Sequence, residues 1–333
     1  MAERIVFSGL ILAVLLLSLA SLAIGPVTLE FADVVSAFVG SGDAVDQVII
    51  RDIRLPRTIL ALLVGAILGL SGAALQGLVR NPLASPSLFG APSMAAFFAS
   101  GAIAFGGTTA LSFFLPFFGI AGALISVSVL LILAGRAAGT ITLILAGIAL
   151  STFAGAATSL ILNLAPNPFA ALEVVFWLLG SLEDRSMVHV AMVAPFIAIG
   201  AALLLWRASS LKVLTLGEEA AHSLGVSISW LRWRIVVGVA MGVGAAVSVT
   251  GSIGFIGLAA PHLVRSFFQH DPAKTLIPSA FAGAALLLAA DIAVRIIPSS
   301  QPLKVGVLTA LIGVPFFLGI VWKSRHRTET GAW

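Results

Sequence analysis

The stretch RLPRTILALLVGAILGLSGAALQGLVRNP, residues 54–82, decides the fold. From Thr58 to Val79 the residues are apolar, small or hydroxylic, and Gln76 is the one exception. A helix needs about 20 mostly apolar residues to cross the hydrocarbon core of a bilayer, and this run is long enough. Arg57 stands before it and Arg80 behind it, and Pro82 and Pro86 stop it, because proline breaks a helix interior. Gln76 and Arg80 lie one turn apart. Polar groups at that depth face protein or a water-filled path; the plainer alternative is a helix end with Arg80 at the headgroups.

Runs of the same kind recur at residues 5–24, 93–105, 113–133, 141–164, 188–206, 235–249, 253–268, 276–296 and 305–322, those at 93–105 and 253–268 being short. The composition agrees: 59% of the 333 residues are hydrophobic, 10% are charged and mean hydropathy is +1.13. A soluble domain carries roughly 25% charged residues, so this chain could not coat a surface facing water. The ten-residue alternation of a membrane barrel is absent. The expectation is an all-α integral membrane protein of about ten transmembrane helices, one domain over residues 1–333.

The charges orient it. With ten spans and an inside N-terminus, Arg51, Arg54, Arg57, Arg185, Arg295 and Lys304 fall outside, six of the 18 lysines and arginines. The other twelve, Arg136 among them, fall inside, as the positive-inside rule requires. The net charge of +4 therefore reads as membrane orientation, and not as an affinity for nucleic acid. Both termini are expected inside. The run 5–24 exceeds the usual 7–15 residues of a secretory core, which favours an uncleaved first helix. A polar segment lies at 26–56, with a short amphipathic run at 31–39, and another outward segment at 165–187 carries Pro166, Pro168 and Trp177, which could anchor at the interface. Gly65-x-x-x-Gly69 and Gly238-x-x-x-Gly242 place small residues on one helix face, where backbones can approach; chance in a glycine-rich chain is the alternative. Arg57 lies eight residues before Gly65, and Arg234 eight before Gly242. The match is loose, since Gly65 opens its pair and Gly242 closes its own, but it is a faint echo of the inverted repeats of transporters.

The chain has no cysteine and no tyrosine, which excludes disulfides, thiolate sites and phenol chemistry. It has no G-x-x-x-x-G-K-[ST] loop to hold ATP phosphates and no H-E-x-x-H. No ligand cluster forms around its five histidines, so no metal site is expected.

The block Leu216-Gly217-Glu218-Glu219-Ala220-Ala221-His222-Ser223-Leu224-Gly225 reads as a two-turn helix. Thr215 with Glu218 fits a capping box, and Gly225 suits the left-handed C′ position. Ala220, Ala221 and Leu224 fall on one side, with Glu218, Glu219 and His222 on the other. So short a helix is unstable alone and makes sense if it docks into a partner; a solvated loop helix is the alternative. Arg54 and Arg57 flank Pro56 as a basic patch suited to carboxylates, or as a snorkelling belt. Arg295 reaches the same face, with Asp291 four residues before it as an intrahelical partner. A second broken helix falls at 251–265, with Gly254, Gly257, Pro261 and His262. Interrupted helices in both halves point to a pathway, and with Gln76, Arg80, Asn81 and Pro82 these four are its gate candidates.

These blocks together resemble the permease family of type II ABC importers for ferric siderophores, haem and vitamin B12. The resemblance runs from about Arg54 to Trp322. It is carried by R-L-P-R at 54–57, S-G-A-x-L-Q at 71–76, R-N-P-L-A at 80–84, L-G-E-E-A-A-x-S-L-G at 216–225, G-x-I-G-F-I-G-L at 251–258, P-H-x-x-R at 261–265, A-D-x-x-x-R at 290–295 and V-G-V-x-T-A-L-I-G-x-P-F-F at 305–317. It implies ten spans in a bacterial inner membrane and a homodimer around a central path. It also implies two ABC ATPases inside, which bind ATP-Mg in place of any cofactor on this chain, and a periplasmic binding protein outside. Residues 216–225 would be the coupling helix pressed by the ATPases. Arg54, Arg57 and Arg295 would receive acids of the binding protein. The family's breadth orders the cargo as ferric siderophore, then haem, then cobalamin. Two departures stand out. Gln301-Pro302-Leu303-Lys304 lacks the family's acid before the last span, and Phe89-Gly90-Ala91-Pro92-Ser93-Met94-Ala95 replaces an L-G-x-x-x-G-A pattern. Two other classes compete with this reading. A secondary transporter would need an intramembrane acid, for which Asp291 is the candidate. An intramembrane enzyme would need a clustered pair, and the sequence shows none.

Overall fold

The structure, a computed structural model, describes residues 2–106, 114–134, 139–298 and 302–329. Arg136, Gln301 and the first residue of the 113–133 span lie outside the described residues. Those described form helices joined by turns, with no β-strand among them.

Seven helices are long and apolar enough to cross a membrane. They are α1 (Ala2–Ala23), α4 (Leu55–Val79), α6 (Leu115–Ala134), α7 (Thr140–Leu164), α9 (Met187–Leu205), α12 (Ile228–Thr250) and α14 (Pro272–Ile296). Shorter apolar helices are α5 (Ala91–Phe105), α8 (Pro168–Leu178) and the first part of α15 (Val305–Glu329). The remaining α-helices among the described residues are α2 (Phe31–Val39), α3 (Ala44–Val48), α10 (Ser209–Leu214), α11 (Glu218–Ser223) and α13 (Ile256–Arg265). Each of the ten expected runs contains a helix, and α2 covers the amphipathic run at 31–39.

Two expectations are corrected. The segment 165–187 contains α8, started by Pro168 behind Asn167, whose side chain accepts from the Ala170 amide at 2.9 Å. Trp177 is not an interface anchor: it is packed in the interior. The span expected from 253 begins only at Ile256, because Gly251 and Phe255 stand at φ 68° and 66°, outside the right-handed helix.

α4 does not begin at Pro56. The helix is continuous from Ala44 to Val79 for 36 residues, about 54 Å at 1.5 Å per residue. That exceeds the ~30 Å hydrocarbon core. Pro56 has no N–H to give, and the turn before it widens to a π-helix (Ile49–Arg54) in which the Leu55 N–H bonds the Ile50 carbonyl, five residues back.

Small residues set the central packing. α4 runs antiparallel to α14 with backbones in contact: a Cβ on Gly65 would fall 2.5 Å from the Gly283 carbonyl oxygen, and one on Gly69 2.1 Å from that of Ser279. A Cβ on Gly238 of α12 would fall 3.0 Å from the Gly200 oxygen of α9. Both expected glycine pairs therefore mark real helix interfaces, and their partners Gly283 and Gly200 are what sequence spacing missed. α4 and α12 run in opposite directions, so the two arginines of the echo, Arg57 and Arg234, stand at opposite ends of the bundle.

Candidate functional site

The two ends of the bundle differ in chemistry. At one end Asp271 caps α14, accepting from the amides of Ala273 at 2.9 Å and Lys274 at 3.3 Å. Lys212 of α10 lies 3.3 Å from Asp271, and Lys274 lies 3.0 Å from Glu3 at the start of α1. The same end carries α11.

α11 is held from behind and open in front. Ala221 is fully buried, and Glu218 bonds Arg232 of α12 at 2.6 Å. Leu216 and Leu224 remain 67% and 63% exposed, with Glu219, His222 and Ser223 also exposed beside them. The exposed face is thus part apolar, and Leu224 lies on it, not on the buried side with Ala221. Thr215 makes no capping box: its hydroxyl bonds the Lys212 carbonyl at 2.7 Å, and Gly217, at φ 106°, precedes the helix. At the other terminus the expectation holds. Gly225 is left-handed at φ 81°, and the Val226 N–H reaches the Ala221 carbonyl at 3.0 Å, closing a Schellman turn. A Cβ at Gly225 meets nothing within 4 Å, so Gly225→Ala carries only the left-handed backbone strain, about 1–2 kcal/mol. The expected outcome is faster amide exchange in α11 with an unchanged global melting point; Gly225→Asn should restore most of the protection.

Behind α11 a cavity of ≈ 290 Å³ opens at the broken end of α4. Arg80 ends that helix in a left-handed turn (φ 54°), and the Asn81 N–H bonds the Gln76 carbonyl at 3.2 Å. Gln76, Arg80, Asn81, Pro82 and Pro261 all line this cavity, joined by Arg265, Thr215 and His270. Three gate candidates lie elsewhere. Gly257 packs against α4, where a Cβ on Gly72 would fall 1.6 Å from its carbonyl oxygen. His262 meets the Phe316 ring edge-on at 6.0 Å, and Gly254 lies in the open turn before α13. A second cavity of ≈ 370 Å³ lies between α13, α14 and α15 and is almost wholly apolar, with Phe255, Leu263, Ile312 and Phe316 among its walls.

The far end is built around Asp291, which is fully buried. Arg57 holds it through Nε at 2.9 Å and a terminal nitrogen at 2.8 Å, and Arg295 bonds its other oxygen. Arg295 also donates to the Ser21 carbonyl at 2.7 Å and the Ile24 carbonyl at 3.2 Å. Arg54, 4% exposed, donates to the carbonyls of Leu22 at 2.8 Å and Ala23 at 2.7 Å, and also to that of Val27. Two cations thereby close the carbonyl end of α1, where the helix dipole is negative. Glu183 lies 3.8 Å from Arg57 and 2.9 Å from Lys304. The basic patch inferred from Arg54 and Arg57 is therefore not an outward-facing one: these guanidiniums fasten α1, α4 and α14 together. Sequence reasoning found the Asp291–Arg295 pair, but the Arg57–Asp291 bridge spans 234 positions and left no local signal.

A helical bundle of membrane-crossing length, with an exposed short helix at one end and broken helices bordering cavities, is the architecture expected of a membrane permease. The chain belongs to the FecCD transport family, whose model matches residues 11–323. It is similar to the Fe(3+)-citrate import system permease protein YfmE of Bacillus subtilis, 38% identical over 95% of both chains. It is 36% identical to the ferric enterobactin transport system permease protein FepD of Escherichia coli over 99% of this chain and 98% of that one. With the cobalamin import system permease protein BtuC of Halobacterium salinarum it shares 40% identity over 82% of this chain and 73% of the other. A solved structure of a metal-chelate type ABC transporter in an inward-facing conformation superposes with a TM-score of 0.84 at 32% identity, covering 96% of this chain and 99% of that one. This chain is accordingly the membrane permease of an ABC importer of the iron-chelate, siderophore and vitamin B12 group.

Proposed function

We propose that this chain, a single transmembrane domain, forms one half of a homodimer that imports a ferric siderophore from periplasm to cytoplasm across a bacterial inner membrane. Both termini and α11 face the cytoplasm. The observation that carries the reading is α11, backed by Ala221 and the Glu218–Arg232 pair and presenting Leu216 and Leu224 outward. A separate ATPase docks there on each half and carries ATP-Mg, and this chain binds no cofactor. The ATPases close on ATP, and α11 transmits the motion to the broken ends of α4 and α13. ATP and the loaded binding protein must each favour a different state, because only differential affinity shifts an equilibrium. The chelate passes along an apolar path at the dimer interface, whose wall is the cavity between α13, α14 and α15.

The periplasmic binding protein docks at the Asp291 end. Arg54, Arg57 and Arg295 receive its acids only by exchanging the partners they hold within the chain. Ferric siderophore is preferred to haem and cobalamin because the relatives named for ferric citrate and ferric enterobactin align along 95% and 98% of their lengths. Asp291 is neutralised by two arginines, which speaks against a secondary transporter driven through that acid.

The test is uptake into proteoliposomes that hold the chain with its ATPase and binding protein, offered labelled ferric siderophore, haem and cobalamin in parallel. ATP-dependent uptake of the first alone is expected. Leu216→Asp with Leu224→Asp should abolish it while the melting point stays within about 1 °C, since substitutions at exposed positions rarely exceed ±0.5 kcal/mol. Equal uptake without ATP or ATPase would overturn the ABC reading, and uptake of haem or cobalamin alone would reassign the cargo.

A further inference from the structure

Arg234 is the largest fully buried side chain of the bundle, 2% exposed. None of its three guanidinium nitrogens has a hydrogen-bond partner among the described residues. Its echo Arg57, at the opposite end, is neutralised by Asp291. A buried charge without a counter-ion is strongly unfavourable, and a guanidinium presents five donors in a planar fork. Arg234 borders a cavity of ≈ 240 Å³ at the α11 end, and Arg207 and the serines Ser210 and Ser227 share its wall. No acidic side chain lines it among the described residues. Ser227 precedes α12 and makes no side-chain cap bond, so a positive helix end meets the same space. Two cations, two hydroxyls and a helix start converge on a space that lacks an anion.

The neighbourhood indicates which anion. Trp230 also lines the cavity and stacks on Trp233 with ring centres 4.7 Å apart. Trp206, Trp230 and Trp233 are all exposed. Exposed tryptophans at the end of membrane-crossing helices mark the headgroup level. We propose that this cavity binds a phosphate oxyanion, supplied by the headgroup of an anionic phospholipid and held by Arg234 and Arg207. Gly225, which closes α11, forms part of the same wall, so an occupied site would brace the coupling turn. This inference does not depend on the cargo or on the direction of transport.

The test is native mass spectrometry of the full chain in detergent. The chain is stripped of lipid and then titrated with phosphatidylglycerol, phosphatidylcholine or inorganic phosphate, with the melting point followed in parallel. Phosphatidylglycerol should bind and raise the melting point, and phosphatidylcholine, whose phosphate is already matched by its own choline cation that the two arginines repel, should bind on the order of tenfold more weakly. Arg234→Met should lose that preference while the lipid-free protein melts no lower, because removing an uncompensated buried charge is neutral or stabilising. Arg207→Gln, at an exposed position, should weaken the preference independently. Equal binding of the two lipids, or an unchanged preference in both variants, would overturn the site. Protection by inorganic phosphate equal to that by phosphatidylglycerol would overturn the lipid headgroup as the source.

Discussion

Asp291→Ala should be among the most destabilising single substitutions in this chain, costing about 3–5 kcal/mol, because removing one partner of a buried ion pair leaves an uncompensated charge behind. Here two charges are left. Arg57 and Arg295 both lean on this fully buried carboxylate; Arg295 cannot turn to water without releasing α1 from α14, nor Arg57 without releasing α4 from α14. The check is thermal unfolding of the detergent-solubilised protein. A double-mutant cycle separates the bridge from bulk packing: Asp291→Ala with Arg57→Met should cost less than the sum of the two single changes, by about 1–3 kcal/mol, since groups in one network couple by that much. Additive losses would show that the pair is not a bridge. Asp291→Asn keeps the shape and loses the charge, so it should fall close to the alanine variant.

The second large effect is expected at Gly72. A Cβ there would fall 1.6 Å from the Gly257 carbonyl oxygen and 2.5 Å from its carbon. The obstacle is backbone, which no rotamer change can move aside. Overpacking a core costs about 1–3 kcal/mol where side chains can yield; Gly72→Ala should reach or pass the top of that range by forcing α4 away from α13. Size-exclusion profiles after heating would read the loss. Gly155→Ala is the control. It lies in the interior of α7 with nothing within 4 Å of a Cβ, so the substitution should be neutral, or stabilising by about 0.5–1 kcal/mol through helix propensity. Equal losses at the two sites would contradict the packing described for α4 and α13. Because α4 and α13 are the two interrupted helices beside the cavities, Gly72→Ala should also slow transport in whatever protein survives.

Much of the candidate site was legible because its signals are local. Gly225 was found from one residue's freedom to adopt a left-handed conformation, and the Asp291–Arg295 pair from i,i+4 spacing. The stop after Val79 followed from Asn81-Pro82. The misreadings have one physical origin. Thr215 matched a capping box by spacing, but its hydroxyl found the Lys212 carbonyl first. Trp177 looked like an interface anchor because it falls in a segment between two expected spans, although α8 carries it into the interior. Arg54 and Arg57 looked like an outward patch because nothing in residues 54–57 shows that the carbonyls of Leu22 and Ala23, and the carboxylate of Asp291, stand opposite them.

The sequence by itself determined that the chain is a membrane-spanning helical bundle, since apolar runs of bilayer length with few charges have no other stable solvent. The residues alone also gave the stop after Val79 and the turn at Gly225, because Asn81-Pro82 and a left-handed glycine act within a turn of their own position. Only the tertiary structure decided which charges are neutralised and which are not. Arg57 and Arg234 each stand eight residues before a glycine of a small-residue pair, yet one meets Asp291, 234 positions away, and the other meets no partner among the described residues. Periodicity reports which way a residue faces along its own helix. What stands across from it depends on how distant segments pack, and for a buried guanidinium that neighbour sets the energy.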